Sequence, residues 1–298
     1  MKRIFEMKSA VVLLAVLAML GSCKKTDDTV LSTDDTQNVN SESVTDTQIN
    51  ETSELSTSVV TNVTNTQYGS GRTAGVIDGL ATKDPRLTGA VVTLTPGGNS
   101  TKDNPNGTIT IDFGGGQTYN GVTRKGQIII TYSGKKGVAG STRVLGYNGY
   151  SRNEIAFDNA MTFTETNVTD STVFHHQLTN GLLTFPDNTT VHRTADYDVT
   201  LDYANKTLTL SAHNGAVHSA SGVNRKTKEY YMDITSPIVY KAECAASKIF
   251  LAASGTKLFA VNSVVKYTLD YGNGTCDNTV TITVGGKTIT LTASVDGN

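Results

Sequence analysis

Tryptophan is absent from the 298 residues, proline occurs only five times, cysteine three times, and charged residues make up 17%. There is no Gly-x-Ser-x-Gly elbow between strand and helix, the turn that presents an activated serine, so that route to nucleophilic catalysis lacks its signature. The longest apolar run, Ala10 to Leu20, is 11 residues. A bilayer core needs about 20, which excludes a permanent membrane helix here but suits a secretory leader. From residue 68 onward 20 Lys and Arg face 18 Asp and Glu. A balance so near neutrality carries no electrostatic footprint for nucleic acid.

What the chain does have is alternation. In Thr108 to Gly134, Ile109, Ile111 and Phe113 fall on one face and Thr108, Thr110 and Asp112 on the other. That period of two marks a half-buried strand. Gly114, Gly115 and Gly116 break it, Ile128, Ile130 and Tyr132 resume it, and the two arms are expected to pair antiparallel across the glycine turn. The pattern returns between Tyr267 and Leu291, where Thr-Leu-Asp-Tyr-Gly-Asn-Gly parallels Thr-Ile-Asp-Phe-Gly-Gly-Gly. Fifteen short Thr/Val/Ile/Tyr segments, from Ala90–Leu94 to Lys287–Thr292, are divided by turn residues such as Asn214-Gly215 and Gly285-Gly286. Connections this short cannot carry parallel crossovers. The fold class expected is therefore all-β, an antiparallel meander forming either a sandwich or two consecutive modules that divide near 180–190. With little charge to guard sheet edges, closure or sandwich packing is the expected protection.

The N-terminus divides into a leader, 1–22, and a segment, 23–71, ahead of the β domain at 72–298. Lys2, Arg3 and Lys8 precede the apolar run, which ends Leu20-Gly21-Ser22-Cys23. This resembles a bacterial lipobox. On that reading Cys23 becomes the acylated, palmitate-bearing N-terminus, and the membrane is a partner through the anchor. An ordinary cleaved leader with an incidental cysteine is the alternative. Lys24-Lys25-Thr26-Asp27-Asp28 is similar to the signal that sends lipoproteins of Bacteroidota to the outer face of the outer membrane, with Thr26 as a departure; a solvated tether would read the same way. Residues 24 to 67 are rich in Thr, Ser, Asn and Asp, without proline, glycine or aromatics, and carry two Lys against eight acids. So little apolar surface predicts a disordered acidic tether, with at most a frayed helix around Glu51 to Val60, that keeps the domain solvated and clear of the lipid.

With Cys23 assigned to lipid, Cys244 and Cys276 remain as a pair, expected as a disulfide in an oxidising envelope compartment; buried free thiols are the competing reading.

Segments TITIDFGGG, GVTRKGQIIITYSG, TFPDNTTV, SASGVNRKTKEYYMDITSPIV and TLDYGNGTCDNTVTITVGGKTITL resemble those of uncharacterised lipoproteins of Bacteroidota, over most of residues 90 to 292. The resemblance implies a secreted, lipid-anchored β protein and no named activity. It also implies a further cysteine pair near Ala90 and Gln117 in some relatives, absent from this chain.

Candidate chemistry is sparse, and no catalytic residue, cofactor or metal set is assigned. His175 and His176 are strand neighbours that point to opposite faces, so one zinc could not take both. His213 and His218 straddle Asn214-Gly215 and could meet across a hairpin, with solvent-facing strand residues as the plainer reading; His192 is the fifth histidine. Asp112 and Asp270 occupy matching positions and could form a carboxylate pair, but each precedes a glycine turn whose amides an aspartate commonly binds. Asp270, Asn273 and Asp277 offer oxygens for calcium without the EF-hand spacing. Arg124-Lys125 and Arg225-Lys226 read as solvated basic turns. Tyr119, Tyr147 and Tyr150, in or beside expected loops, could form an aromatic platform for a glycan. The function expected is a non-enzymatic outer-membrane lipoprotein at the cell surface, structural or adhesive, with a glycan or surface protein as partner. The alternatives are an envelope enzyme acting on polysaccharide or peptide, and a periplasmic scaffold.

Overall fold

The computed structural model describes residues 33–67, 74–169, 172–247, 249, 251–284 and 286–292. The expected leader, Cys23 and the Lys24-to-Asp28 stretch lie outside them. Everything described from Thr33 onward forms one compact unit, so β structure does not divide near 180–190. The strands, numbered in chain order, run β1(Gly75–Val76), β2(Val91–Pro96), β3(Asn106–Asp112), β4(Gln117–Tyr119), β5(Val122–Ser133), β6(Thr142–Arg152), β7(Ile155–Phe157), β8(Thr162–Thr169) and β9(Val173–Thr184). Then follow β10(Thr190–Asp202), β11(Thr207–Ala212), β12(Ala220–Val223), β13(Glu229–Lys241), β14(Ser254–Val261), β15(Val264–Asn273), β16(Thr279–Val284) and β17(Lys287–Thr292). They join in a single antiparallel sheet. Each of the 15 segments expected from alternation overlaps a strand, but β5, β6, β9, β10 and β13 extend up to six residues past the expected ends, and the expected Ala216–Ser221 meets β12 only at Ala220 and Ser221.

Three pairs of these segments are one strand interrupted by a loop. β3 and β4 both pair with β5, β7 and β8 both lie between β6 and β9, and β11 and β12 both lie between β10 and β13. The turn chemistry is correspondingly redistributed. Ile109 pairs with Ile130 and Ile111 with Ile128, as the alternation requires. The chain, however, reverses at Asn120-Gly121, with φ of 48° and 77°, the pair of left-handed residues that a two-residue hairpin demands. Gly114 to Gly116 form the interrupting loop instead. Asn214-Gly215 likewise sits in the loop between β11 and β12 rather than in a hairpin.

Of the segment expected to be a disordered tether, the described part is a helix, α1(Thr33–Gln67), 35 residues long. Among its described side chains only Glu54 is exposed. A helix that is polar on every face, yet buried, needs a partner on every face. The sheet supplies it by curling. Glu51 contacts Arg124 on β5, and Asp46 contacts Lys257 on β14. Those strands are seven hydrogen-bonded steps apart through β6, β8, β9, β10, β11 and β13. Across a flat sheet that is about 34 Å, whereas the five-position step from Asp46 to Glu51 rises only about 7.5 Å along a helix. One sheet wrapped around α1 therefore replaces the expected sandwich or pair of modules. Three of its buried hydroxyls are satisfied by bonding back onto the helix: Thr45 Oγ1 donates to Ser41 O (2.7 Å), Thr52 to Ile49 O (2.9 Å) and Ser56 to Ser53 O (2.8 Å).

Curvature is assisted by a bulge. Between the pairs Lys125–Ser151 and Gln127–Asn148, β6 holds one residue more than β5. Gly126 faces the extra residue with φ of 71°, and a Cβ there would lie 2.2 Å from Gly149 O. The added residue reverses parity along β6, so Arg143, Leu145 and Tyr147 share the inner face with Tyr150 and Arg152.

Among the described residues the edge strands pair on one side only. β1 has two residues, and β17 presents Lys287, Thr288 and Thr290. Shortness and polar side chains, not closure, blunt these edges.

Cys244 lies buried on the short helix α2(Ala242–Ala246) and is bonded to Cys276, beyond the end of β15, across a separation of 32 residues. The disulfide expectation is supported. Closing a loop of that length contributes about 3–4 kcal/mol by the chain-entropy argument. Cys276→Ser should lower the unfolding free energy by about that much in urea titrations, and reductant should do the same to the native chain but not to the variant. Equal stability of native chain and variant would show that the loop is already held by packing.

Candidate functional site

The most concentrated chemistry lies between α1 and the inner face of the sheet. Strand alternation aims Arg193 on β10, Lys257 on β14, Arg124 on β5 and Arg143 and, after the bulge, Arg152 on β6 toward the helix. All five are buried, Lys257 to 1% exposure. The helix answers with acids and hydroxyls. Arg193 reaches Glu42 and Asp46, each at 2.9 Å, and Lys257 Nζ reaches Asp46 at 2.6 Å. Arg124 meets Glu51 at 2.5 Å, and Arg86, in the loop after β1, pairs with Asp84 at 2.8 Å while approaching Glu51 and Glu54 at 3.7 Å. Arg143 donates to Ser53 O (2.8 Å), Ser56 Oγ and Thr57 Oγ1 on the helix, and to Glu165 Oε2 (2.8 Å) on β8. At the helix start Asn224 Nδ2 donates to Asn38 Oδ1 (3.0 Å).

Burial and charge pull these groups in opposite directions. Burial would raise the Asp46 carboxyl, but the Lys257 and Arg193 charges outweigh it and hold it below its usual range. Burial would likewise lower the Lys257 ammonium, which Asp46 instead holds well above its usual value. At Glu42 burial wins and the carboxyl is raised, with Arg193 opposing and Asp46 adding to the rise. Glu165 is buried too, yet the Arg143 charge, a hydrogen bond from His176 (2.9 Å) and the His176 and Lys136 charges hold it at about 2.

Glu42, Asp46 and Glu51, among the acids expected to keep a tether solvated, are thus ion-paired inside the domain. Arg124, expected in a solvated turn, lies on β5 and is buried, because that strand begins at Val122 rather than Gln127. Arg225 packs 4.2 Å over the Phe185 ring and pairs with Asp187 at 2.5 Å.

The expected tyrosine platform is not assembled. Tyr147 and Tyr150 are 3% and 0% exposed. They stack on each other and meet Phe157 tilted and edge-on beneath α1, with centroids 4.8–5.8 Å apart, and Tyr147 Oη shares a 3.1 Å hydrogen bond with Thr52 Oγ1. The parity switch at the bulge is the reason. Tyr119 is half-buried on β4, at the mouth of the Asn120-Gly121 hairpin. Asp112 and Asp270 stand on strands that do not pair, and each caps its own turn: Asp112 accepts from Gly114 N at 2.7 Å and Asp270 from Gly272 N at 2.8 Å. The would-be calcium oxygens are used the same way, Asn273 by Thr275 and Asp277 by Thr279.

The histidines divide as strand alternation requires, but with partners that spacing does not reveal. His176 faces inward to Glu165. His175 faces outward, directly across from Asp198 on β10. His213, the first residue after β11, turns back onto the same spot: its Nδ1 lies 2.9 Å from His175 Nδ1 and 2.9 Å from Asp198 Oδ1, and His175 Nδ1 lies 3.1 Å from Asp198 Oδ1. Asp196 Oδ1 stands 3.4 Å from His175 Nε2. His218 goes to Asp233 at 3.2 Å and stacks on Tyr231, so His213 and His218 do not form a pair across the loop. His192 is exposed. Asp196-x-Asp198, two acids on the outer face of one strand beside a histidine-bearing strand, was the sequence signal for this cluster.

Fold and site together define an all-β structural domain built around an internal helix. No known family matches the chain, and no curated protein or solved structure matches it.

Proposed function

We propose that the protein is a lipid-anchored lipoprotein of the bacterial outer membrane, displayed at the cell surface, whose β domain has a non-enzymatic structural or adhesive role toward a glycan or surface protein. The observation that carries this reading is the leader ending Leu20-Gly21-Ser22-Cys23, followed by Lys24-Lys25-Thr26-Asp27-Asp28. The segment resemblance to Bacteroidota lipoproteins supports it. Because α1 begins at Thr33, nine residues separate it from Cys23. At full extension nine residues reach about 30 Å. An acylated Cys23 would therefore hold the β domain against the membrane rather than on a long stalk. Two acyl chains suffice for stable anchoring.

The test combines a clickable palmitate analogue with protease shaving of intact cells. The native chain should incorporate the label and be cut from whole cells. Cys23→Ala should lose the label, and Asp27→Ala/Asp28→Ala should keep it while becoming protease-protected. Absence of label on the native chain overturns the anchor, and protection of the labelled native chain overturns surface display.

A further inference from the structure

The outer-face cluster on β9, β10 and the loop after β11 has a geometry that hydrogen bonding alone does not satisfy. Three atoms, His175 Nδ1, His213 Nδ1 and Asp198 Oδ1, form a triangle with edges of 2.9, 2.9 and 3.1 Å. With Asp198 ionised, consider each protonation state of the two rings. If one Nδ1 carries a proton, the other ring presents a bare lone pair to a carboxylate lone pair at hydrogen-bond distance. Two protonated Nδ1 atoms set two N–H donors against each other. With neither protonated, three lone pairs converge. Every state leaves one edge repulsive. A cation at the centre makes all three edges favourable.

The dimensions agree with that. Tetrahedral zinc holds nitrogen and oxygen at 2.0–2.2 Å, which sets ligand atoms roughly 3.3 Å apart, close to the observed edges. Imidazole nitrogens with one carboxylate suit a borderline divalent transition ion rather than calcium or magnesium, which take oxygen. The surroundings are those of a ligand set. A metal-bound histidine ordinarily donates its other ring N–H to a carboxylate, which fixes the tautomer. Asp196 Oδ1, 3.4 Å from His175 Nε2, is buried and has no hydrogen-bond partner. The side chains of His175, Asp198 and His213 are 14%, 24% and 35% exposed, so water or an external ligand can reach a fourth position.

We propose that His175, Asp198 and His213 bind one divalent transition-metal ion of the zinc class, with Asp196 orienting His175 and a non-protein ligand completing the coordination. The interrupted strand is what builds the site. β11 ends at Ala212, opposite Tyr197, so His213 leaves the sheet line beside the outward-facing acids of β10. The ion would tie β9 and β10 to the 213–219 loop. The proposal does not depend on where the protein resides.

The experiment titrates zinc into the full-length chain, without an affinity tag, in competition with a chromophoric chelator, and repeats the titration with cobalt(II). One equivalent should bind, and cobalt should give the intense visible absorption of a tetrahedral site. His175→Ala and His213→Ala should each weaken binding more than about 100-fold and abolish that absorption, while Asp196→Asn should weaken it roughly 10- to 100-fold. His192→Ala and His218→Ala should bind as the native chain does. His213→Gln, close to histidine in size and polar, should keep the native circular dichroism and unfolding midpoint while losing the metal. Native binding that survives His175→Ala or His213→Ala, or no stoichiometric binding by the native chain, overturns the site.

Discussion

Arg193→Ala is expected to lower the free energy of unfolding by about 3–5 kcal/mol, the range for removing one partner of a buried ion pair. Arg193 is 5% exposed and serves two acids at 2.9 Å, Glu42 and Asp46. Lys257 can still meet Asp46 after the substitution, but Glu42 has no other cation within ion-pair distance among the described residues. The magnitude is large against a total stability of about 5–15 kcal/mol for a typical domain. Urea unfolding should show the midpoint falling sharply with the slope unchanged.

The loss comes from stranding acids rather than from forfeiting attraction. Glu42→Gln added to Arg193→Ala should therefore recover a substantial part of it, because a neutral amide leaves no uncompensated charge. A single variant within about 1 kcal/mol of the native chain would mean that the ion pairs do not fasten the helix. A double variant less stable than the single one would locate the loss in packing of the arginine stem instead.

The β sheet was legible in the sequence and the helix was not, for a physical reason. Strands such as Thr279–Val284 write their burial as alternation, and alternation survives even where the strand is interrupted. Helix α1 writes no such pattern. Its buried positions include Asn38, Ser41, Thr45, Gln48, Thr52 and Ser56, residues that ordinarily mark solvent. They follow a helical spacing of three and four, but polar residues inside a polar surround leave no hydrophobic contrast to detect. Two signs pointed the other way. Residues 24 to 67 lack proline and glycine altogether, and their acids have counterparts in arginines and a lysine scattered over otherwise apolar strands. The second sign could be read only once Arg193 and Lys257 were known to face inward. The metal cluster escaped for a related reason. Its ligands come from two strands and a loop, and the contribution of His213 depends on β11 and β12 being one broken strand, a register that turn residues alone do not specify. The tyrosine platform failed because of a single bulge residue, since parity on β6 decides whether Tyr147 and Tyr150 both face the helix.

Removing residues 1–67 is expected to abolish the cooperative fold. Val44, Ile49, Leu55, Val59, Val60 and Val63 of α1 are buried. At about 1.5–3 kcal/mol each, and with allowance for a denatured state that already buries part of this surface, they contribute roughly 6–16 kcal/mol. That is comparable to the whole stability of a domain. The deletion also uncovers Arg124, Arg143, Arg193 and Lys257 on an inner face that carries Tyr150, Phe259 and Tyr267. A chain of residues 68–298 should therefore appear in aggregates or as a noncooperative state with exposed apolar surface. A peptide of residues 33–67 should be largely unstructured alone, since Thr, Ser and Asn are poor helix formers and no charged pair of opposite sign lies along it. Mixed during refolding, the two pieces should recover helical circular dichroism and a single unfolding transition, and a peptide carrying Glu42→Gln and Asp46→Asn should restore less of it. If residues 68–298 alone unfold cooperatively near the native midpoint, the sheet holds its curl without the helix. In that case α1 is a passenger in the groove, and the buried ion pairs report docking rather than folding.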